Sequence, residues 1–290
     1  PGCHETSERY NALNSVLQSC RACNAADLRL ILSLGQTPLA NSLVQPDQLG
    51  HLEITYPLDL VFCAGCSLVQ ITVTVPPDML FREYLYFSSF SFPVVRQAEI
   101  LVERMVTERC LDGSSLAMEI ASNDGYLLQY YKKQGVPVLG IEPARNVAKV
   151  AVKERGIRTL TEFFGEELAY MLEARGDSAD IIHANNVLAH VSDLNGVVNG
   201  IRIVLKQKGI ASIEVPYVRD LIEGCEFDTI YHEHLCYFSL TALDQLFRRN
   251  QMVISDVERI SVHGGSIRVY ASHLATATPS PSVTKMLDDE

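Results

Sequence analysis

The sequence has no long apolar run. No stretch of about 18 or more apolar residues occurs in the 290 residues, so no membrane-spanning helix is predicted. The first residues also lack a basic segment followed by an apolar core, so no secretory signal is visible. An initiator methionine is missing as well. We therefore expect a domain cut from a longer chain, and we expect it to work in the reducing environment of the cytoplasm.

Positive charge is scarce. The chain carries 24 Lys and Arg against 35 Asp and Glu, a formal net charge of −11. Nucleic-acid binding needs clustered Lys and Arg to neutralise phosphates, so this balance argues against a nucleic-acid partner. An apolar fraction of 47% and a charged fraction of 20% are typical of a globular protein. We expect the partner to be a small-molecule substrate.

The hydrophobic pattern divides the chain along its length. Residues 1–18 form a polar lead-in, 19–90 carry short strands and turns around cysteines, and 276–290, rich in Ser, Thr and Pro, predict a linker or tail. In 91–275, an amphipathic helix from Val94 precedes an alternation of apolar runs and helical patterns, which predicts an α/β fold with a parallel, doubly wound sheet. The predicted strands are 28–34, 56–62, 68–75, 116–120, 137–141, 180–184 and 210–215, with a closing pair at 253–257 and 266–271, and the predicted helices are 126–134, 144–155, 166–174, 194–205 and 242–250.

Four of the eight cysteines form two C-x-x-C pairs, namely Cys20 with Cys23 and Cys63 with Cys66. Two thiolates three residues apart around a tight turn can hold one Zn²⁺, and a second pair completes a tetrahedral shell. Four thiolate ligands leave no open position, so the predicted zinc is structural. A disulfide framework is disfavoured without a signal peptide, and four unrelated free cysteines would not repeat the spacing.

A polar turn follows the first strand of the larger domain. The strand carries Glu119, and the turn runs from Ala121 to Gly125, at the edge where doubly wound folds bind cofactors. The next strand ends at Glu142, where an acidic side chain typically accepts ribose hydroxyls, although a solvated loop acid is the alternative. The G-x-G-x-x-G phosphate loop is absent. An adenosyl cofactor without phosphates fits this edge better than a dinucleotide.

Two further strands end in polar residues. The strand at 180–184 is followed by Asn185, Asn186 and His190, which either line the same site or only cap the next helix. The strand ending near Glu214 precedes Tyr-His-Glu-His at 231–234. This stretch is open to three interpretations: a second metal site, an acid–base group in which His takes a proton from carbon, or a buried hydrogen-bonded cluster.

Taken together, these motifs resemble those of the zinc-binding sugar C-methyltransferases that act on nucleotide-linked 4-keto deoxysugars. The resemblance covers Cys20 to about Ala271. The motifs that carry it are C-R-A-C (20–23), L-G-Q-T-P-L-A-N (34–41), Y-P-L-D-L-V-F-C-A-G-C-S-L-V-Q (56–70), Y-L-Y-F-S-S (84–89), E-I-A-S-N-D-G-Y-L-L (119–128), G-I-E-P (140–143), A-N-N-V-L-A-H-V (184–191), E-V-P-Y (214–217), Y-H-E-H (231–234) and H-G-G-S-I-R-V (263–269).

The resemblance implies a fold, cofactors and roles. The fold is a small Cys₄ zinc-binding N-terminal module followed by a Rossmann-like class I methyltransferase domain, and the cofactors are S-adenosylmethionine and a structural Zn²⁺. The residues expected at the cofactor are Glu119, Ala121, Asn123, Asp124, Gly125, Glu142, Asn185 and Asn186. The residues expected around the reacting sugar are His234 as general base, Tyr231, Glu233, His190 and Tyr86, which fits by position better than Tyr84.

The implied reaction is methylation of a carbon next to a ketone. Such a carbon becomes nucleophilic after deprotonation, so a base must meet its proton while donors stabilise the developing oxyanion. We expect His234 to be the base, and Tyr231 or Tyr86, with His190, to be the donors.

The chain departs from the family pattern in two ways. Ala121 stands where the family usually has Gly, which costs stability if that position needs a positive φ. Family members also continue into a second α/β domain after H-G-G-S. Two alternatives remain: a C-methyltransferase domain of a multidomain synthase acting on a carrier-bound β-keto acyl group, and a catalytically degenerate docking module.

Overall fold

A computed structural model describes residues 16–261 and 264–290. Residues 1–15 of the predicted lead-in, and His263 of the H-G-G-S motif, lie outside the described residues. The strands are β1 (Leu28–Pro38), β2 (Thr55–Cys63), β3 (Val69–Ile71), β4 (Ala117–Ile120), β5 (Val138–Ile141), β6 (Thr159–Leu160), β7 (Ala179–Asn185), β8 (Leu205–Pro216), β9 (Cys236–Tyr237), β10 (Met252–Ile260) and β11 (Ser266–His273). The α-helices are α1 (Pro77–Phe81), α2 (Phe92–Arg109), α3 (Leu128–Lys133), α4 (Arg145–Arg155), α5 (Glu166–Ala174), α6 (Leu194–Val204), α7 (Val218–Gly224), α8 (Leu240–Arg249) and α9 (Pro281–Asp289).

The larger sheet has seven strands in the order β10-β11-β8-β7-β4-β5-β6. Strands β4 to β8 pair in parallel, and the β10–β11 hairpin closes one edge antiparallel to β8. All four residues of β4 are buried, as expected for a strand covered by helices on both faces. This topology confirms the predicted α/β class.

The strand order reverses between β4 and β7, because β5 lies on one side of β4 and β7 on the other. Loops that leave neighbouring strands in opposite directions open a crevice at the carboxyl edge. The polar loop after β4, Glu142 after β5 and the two asparagines at the end of β7 all meet at this edge.

The smaller sheet joins the two halves of the chain. Its order is β1-β2-β3-β9, and all of its pairs are antiparallel. Strands β1 to β3 surround the cysteines, whereas β9 comes from the region just after the Tyr-His-Glu-His stretch. The sequence pattern assigned this region to the methyltransferase domain, and those domain limits stay a prediction.

The carboxyl-terminal segment is helical where the sequence predicted a linker or tail, so that prediction is wrong for α9. Ser280 accepts a hydrogen bond from the amide of Val283, Pro281 takes the first helical turn, and Val283 is fully buried. Glu290 then accepts hydrogen bonds from the amides of Leu240 and Thr241 at the start of α8. Among the described residues, no helix combines the length and the apolar character that crossing a membrane requires.

Candidate active site

The four paired cysteines come together in the smaller module. Their sulfurs all lie within 4.8 Å of one another, and the Sγ atoms of Cys20 and Cys66, and of Cys23 and Cys63, are each 3.5 Å apart. Tetrahedral zinc with Zn–S bonds of about 2.3 Å separates its sulfurs by about 3.8 Å. The donor set therefore fits one structural Zn²⁺ with no open position.

A neutral side chain supports the cysteine cluster from β3. The Nε2 atom of Gln70 donates to Sγ of Cys20 at 3.2 Å, and Oε1 of Gln70 accepts from the backbone and guanidinium of Arg21. Donors to a metal-bound sulfur orient the ligand, as outer-shell partners of metal sites commonly do. Gln70 also pairs with Cys236 of β9, so one residue contacts both the cysteine cluster and β9.

The loop after β4 is built from left-handed backbone. Ala121, Asn123 and Gly125 have φ values of +53°, +49° and +78°. Ala121 therefore has a positive φ, the condition under which an alanine in place of glycine costs stability. A Cβ atom at Gly125 would lie 3.0 Å from Cγ1 of Ile157, so this glycine is also needed for close packing.

Glu142 fixes the shape of that loop. One of its carboxylate oxygens accepts from the amide of Asn123 and the other from the amide of Ala144, both at 2.8 Å. Burial raises the pKa of Glu142 to about 7, against the opposing effect of these two amides. Each oxygen keeps a lone pair for a further donor, and the residue lines the cavity described below.

Polar atoms without a hydrogen-bond partner gather at the same edge. They include Glu119 Oε2, Asn185 Oδ1 and Asn186 Oδ1. Glu119 is almost fully buried, and burial together with the nearby carboxylates raises its pKa well above the usual range. Orphaned polar groups next to a crevice fit a ligand that is itself polar, such as the amino-acid end and ribose of an adenosyl cofactor.

A cavity of about 720 Å³ opens at this edge, within the range of ligand sites in proteins. Most of the sequence-predicted residues line it. Those that do are Tyr86, Ala121, Asn123, Glu142, Asn185, Asn186, His190, Tyr231 and His234.

Four predicted residues lie behind the cavity wall instead: Glu119, Asp124, Gly125 and Glu233. Asp124 is buried and forms an ion pair with Arg155 of α4 at 3.3 Å. Glu233 accepts from the side chain of Asn41 at 2.7 Å. These side chains hold the site together from outside the cavity.

Two histidines and a tyrosine meet at one wall. The rings of His190 and His234 have centroids 4.9 Å apart, and those of Tyr231 and His234 are 4.3 Å apart. The Tyr231 hydroxyl lies 3.1 Å from Nε2 of His234, whose Nδ1 is 3.0 Å from the carbonyl of Thr229. A carbonyl oxygen only accepts, so Nδ1 carries the proton and Nε2 accepts from the phenol.

His190 has the same tautomer. Its Nδ1 lies 2.7 Å from the backbone carbonyl of Glu233, so Nδ1–H donates and Nε2 keeps a lone pair. Burial lowers the pKa of His190, which favours the neutral ring. A neutral His190 in this tautomer accepts a hydrogen bond at Nε2.

The Y-L-Y-F-S-S segment is fastened across the cavity. The side chain of Asn123 accepts from the amide of Ser88 and donates to the carbonyl of Tyr86, and the side chain of Asn146 bonds in the same way to both backbone groups of Tyr84. Both tyrosines line the cavity.

Tyr84 is linked to His190 through the ring of Phe81. It contacts Phe81, and Phe81 packs edge-on against His190, whereas Tyr86 is 46% exposed. Burial, with Glu233 and Glu142 nearby, raises the pKa of Tyr84 to about 12. By position the sequence pattern ranked Tyr86 ahead of Tyr84, because it carries no information on these contacts across the chain.

Sequence reasoning missed two residues of the site. Tyr126 accepts from Nδ2 of Asn185 at 3.2 Å and lines the cavity, and it follows directly on the Asn-Asp-Gly turn that drew attention to the loop. Asn41 reaches Glu233 from the far end of the chain, and its only sequence signal is its place in the L-G-Q-T-P-L-A-N motif.

Comparisons with known proteins agree with this architecture. Residues 20–81 match a family model described as "Putative zinc binding domain", and residues 96–255 match one described as "Methyltransferase domain". The chain is 35% identical over 275 residues to the C-methyltransferase NovU of Streptomyces niveus, a match that covers 94% of this chain. It spans 65% of that relative's length.

Solved structures show a weaker likeness. The magnesium protoporphyrin IX methyltransferase ChlM of Synechocystis with bound S-adenosylmethionine has a TM-score of 0.48 and 13% identity, over 66% of this chain and 85% of that chain. A TehB-like S-adenosylmethionine-dependent methyltransferase of Corynebacterium glutamicum has a TM-score of 0.45 and 14% identity, over 61% and 86%. Both TM-scores are below 0.5, so no conclusion about this chain is based on these two structures.

The second family model covers more than half of the chain, and the observed sheet order and cysteine cluster agree with both models. The Rossmann-like domain has the fold that binds S-adenosylmethionine, and the module before it has the ligands for zinc. The chain therefore belongs to the methyltransferase domain family, with a four-cysteine zinc-binding module preceding that domain.

Proposed function

We propose that the chain is an S-adenosylmethionine-dependent C-methyltransferase that methylates a carbon next to a ketone. The observation that carries this proposal is the pair formed by His234 and Tyr231 in the wall of the cavity that also contains Glu142. A base that faces the cofactor cavity, beside hydroxyl donors, suits carbon deprotonation. Transfer to an oxygen or nitrogen nucleophile does not require that arrangement.

His234 is the proposed general base. Its Nδ1–H is held by the Thr229 carbonyl, so the proton is taken up at Nε2. An imidazolium formed there remains hydrogen-bonded to that carbonyl, which accepts its Nδ1–H in either state. The Tyr231 hydroxyl, now bonded to Nε2, must turn toward the substrate when the carbon proton arrives.

The tyrosine hydroxyls are the proposed oxyanion donors. Burial, and then the carboxylate of Glu233, raise the pKa of Tyr231 above its usual range, and the pKa of Tyr84 is raised as well. Both phenols therefore stay protonated at neutral pH and can donate to a developing enolate oxygen. Nε2 of His190 can only accept a hydrogen bond. We therefore propose that it accepts from a hydroxyl group of the substrate and does not donate to the enolate oxygen.

Glu142 and the loop from Ala121 to Gly125 are the proposed holders of the cofactor. Glu142 has lone pairs for ribose hydroxyls, and the orphaned oxygens of Asn185 and Asn186 can accept from an ammonium group. When bound, S-adenosylmethionine supplies an electrophilic methyl group. The residues of this chain then have to orient the acceptor carbon and keep water from its enolate.

We further propose a nucleotide-linked keto-deoxysugar as substrate. The motif resemblance to the sugar C-methyltransferases, and a wall that presents acceptors and donors to hydroxyls and a ketone, support a sugar over a simple ketone. No contact among the described residues favours the carrier-bound β-keto acyl alternative.

His234→Ala tests the assignment of the base. We expect loss of at least 100-fold in kcat with labelled methyl donor, while affinity for S-adenosylhomocysteine, measured by calorimetry, stays within about twofold. Loss of binding together with turnover would make the residue structural. A folded, zinc-loaded wild-type chain that fails to bind S-adenosylhomocysteine would favour the docking module instead.

A further inference from the structure

The zinc-binding module contacts two residues of the proposed catalytic turn, which comprises residues 231–234. Nδ2 of Asn41 donates to Oε1 of Glu233 at 2.7 Å, across 192 positions of sequence. Nε2 of His232 lies 3.1 Å from the backbone carbonyl of Pro57, in β2. The turn is therefore held from the side of the zinc-binding module at two adjacent residues, Glu233 by Asn41 and His232 by β2, where the ring of Tyr56 also packs against His232.

We propose that Asn41 is a positioning residue for the reaction, acting through Glu233 on His190 and on the tyrosine donors. The inference rests on the proposed function, since it assigns a task to a residue that does not line the cavity. Nothing in the family models or in the relative's name gives Asn41 a role.

The first step runs from Glu233 to His190. The side chain of Glu233 is held by Asn41, and its backbone carbonyl accepts Nδ1–H of His190 at 2.7 Å. The next residue but one, Leu235, donates its amide to the carbonyl of Ala189 at 2.7 Å. A shift of Glu233 therefore moves the acceptor that fixes the tautomer of His190, a residue of the cavity wall, and with it the direction of the Nε2 lone pair.

The second step is electrostatic. Glu233 raises the pKa of both Tyr84 and Tyr231, and burial raises the pKa of Glu233 itself, an effect that the Asn41 side chain opposes. A neutral amide holds the carboxylate in place and leaves its charge uncancelled. A Lys or Arg at this position would neutralise a charge that, after burial, helps to raise the pKa of both phenols.

The metal ligands are also connected to the turn. Gln70 of β3 donates to Sγ of Cys20 and pairs with Cys236 of β9, and the turn precedes β9 directly. The zinc-binding module thus has a task beyond its own folding: it sets the position of the turn.

The experiment compares Asn41→Leu, Asn41→Asp and a matched control. Asn199 donates to Oε1 of Glu166 at 2.7 Å on an exposed surface, so Asn199→Leu removes the same kind of pair away from the site. Zinc content, affinity for S-adenosylhomocysteine, kcat and KM are measured for each variant. The ¹⁵N chemical shifts of the histidine rings report the tautomers without any substrate.

We expect Asn41→Leu to keep its zinc and its affinity for S-adenosylhomocysteine within about twofold, and to lose about 10- to 100-fold in kcat, because small misplacements are costly. His190 should leave the single Nδ1–H tautomer. In Asn41→Asp two carboxyls face each other and cannot both ionise, so kcat relative to wild type should recover as the pH falls and a shared proton rebuilds the bond. Asn199→Leu should match wild type throughout.

Two results would overturn the inference. One is a wild-type tautomer of His190 and wild-type kcat in Asn41→Leu. The other is a loss of zinc or of S-adenosylhomocysteine binding in both Asn41 variants at every pH, which would give Asn41 a merely structural role. If the wild-type chain methylates no ketone, the proposed function fails, while the ring shifts still decide whether Asn41 positions His190.

Discussion

Replacing Ala121 by glycine should stabilise this protein, although the substitution removes a methyl group from the wall of the cavity. Ala121 has a φ of +53°, close to the left-handed helical conformation. In that conformation the Cβ atom crowds the following carbonyl oxygen, at a cost of roughly 1–2 kcal/mol for an L-residue. Glycine has no Cβ and avoids this cost.

The net gain is smaller than the strain. Glycine has more conformational freedom in the unfolded chain, which lowers the free energy of unfolding by about 0.5–1 kcal/mol. The difference leaves a gain in the free energy of unfolding of about 0.5–1 kcal/mol. For a chain of this size each kcal/mol changes Tm by about 2–4 °C, so we expect a rise of about 1–4 °C.

The assay is thermal and urea unfolding of the zinc-loaded protein. Gly125→Ala is the opposite control, because Gly125 has a φ of +78° and a Cβ atom there would lie 3.0 Å from Cγ1 of Ile157. That variant should lose stability. A Tm of Ala121→Gly that is equal to or below the wild-type value would refute the strain argument. Affinity for S-adenosylhomocysteine should stay equal or improve, since the amide positions of the loop are kept by Glu142.

Three further outcomes are expected. Cys63→Ser should lower the zinc content below one ion per chain, by metal analysis, and destabilise the smaller sheet, since metal binding is part of the folding free energy of such modules; full zinc retention would contradict the four-thiolate site. Affinity for S-adenosylhomocysteine should rise as the pH passes upward through about 7, the value to which burial raises the pKa of Glu142, because the ionised carboxylate is the stronger acceptor. Glu142→Gln should bind more weakly, and its affinity, measured by calorimetry, should be the same at pH 6 and 8. Tyr84→Phe should cost more in kcat than Tyr86→Phe, by about tenfold, since removal of one oxyanion donor costs that much or more. Equal losses would contradict the preference for Tyr84, and a larger loss in Tyr86→Phe would return the role to the more exposed tyrosine.

Sequence patterns predicted the fold well. The alternation of apolar runs and helical periods in 91–275 predicted the parallel strands and the closing hairpin, because covered strands must be continuously apolar and helices must bury one stripe. The short strand β6 and the helix α7 escaped notice. Helix α9 was predicted as a linker, because Ser, Thr and Pro at 276–282 outweighed the buried Val283 two turns from the end.

The candidate site was predicted in part, and its roles stay predictions. The loop after β4, Glu142 and the residues 231–234 were singled out from polar residues at strand ends, which is local information. Nothing local distinguished the residues that line the cavity from those that support it, such as Asp124 and Glu233. That distinction depends on which neighbour each side chain finds across the chain.

The sequence by itself determined the elements whose cause is local: two C-x-x-C turns that suit one metal, a glycine-like loop after a buried strand, and strand ends that carry polar groups. Only the tertiary structure decided that β9 pairs with β3, that Asn41 reaches Glu233, and that His190 and His234 both carry their proton on Nδ1. The physical reason is range. Propensity and periodicity act over one or two turns of chain, whereas a tautomer or a contact across 192 positions is set by the packing of elements that no short window contains.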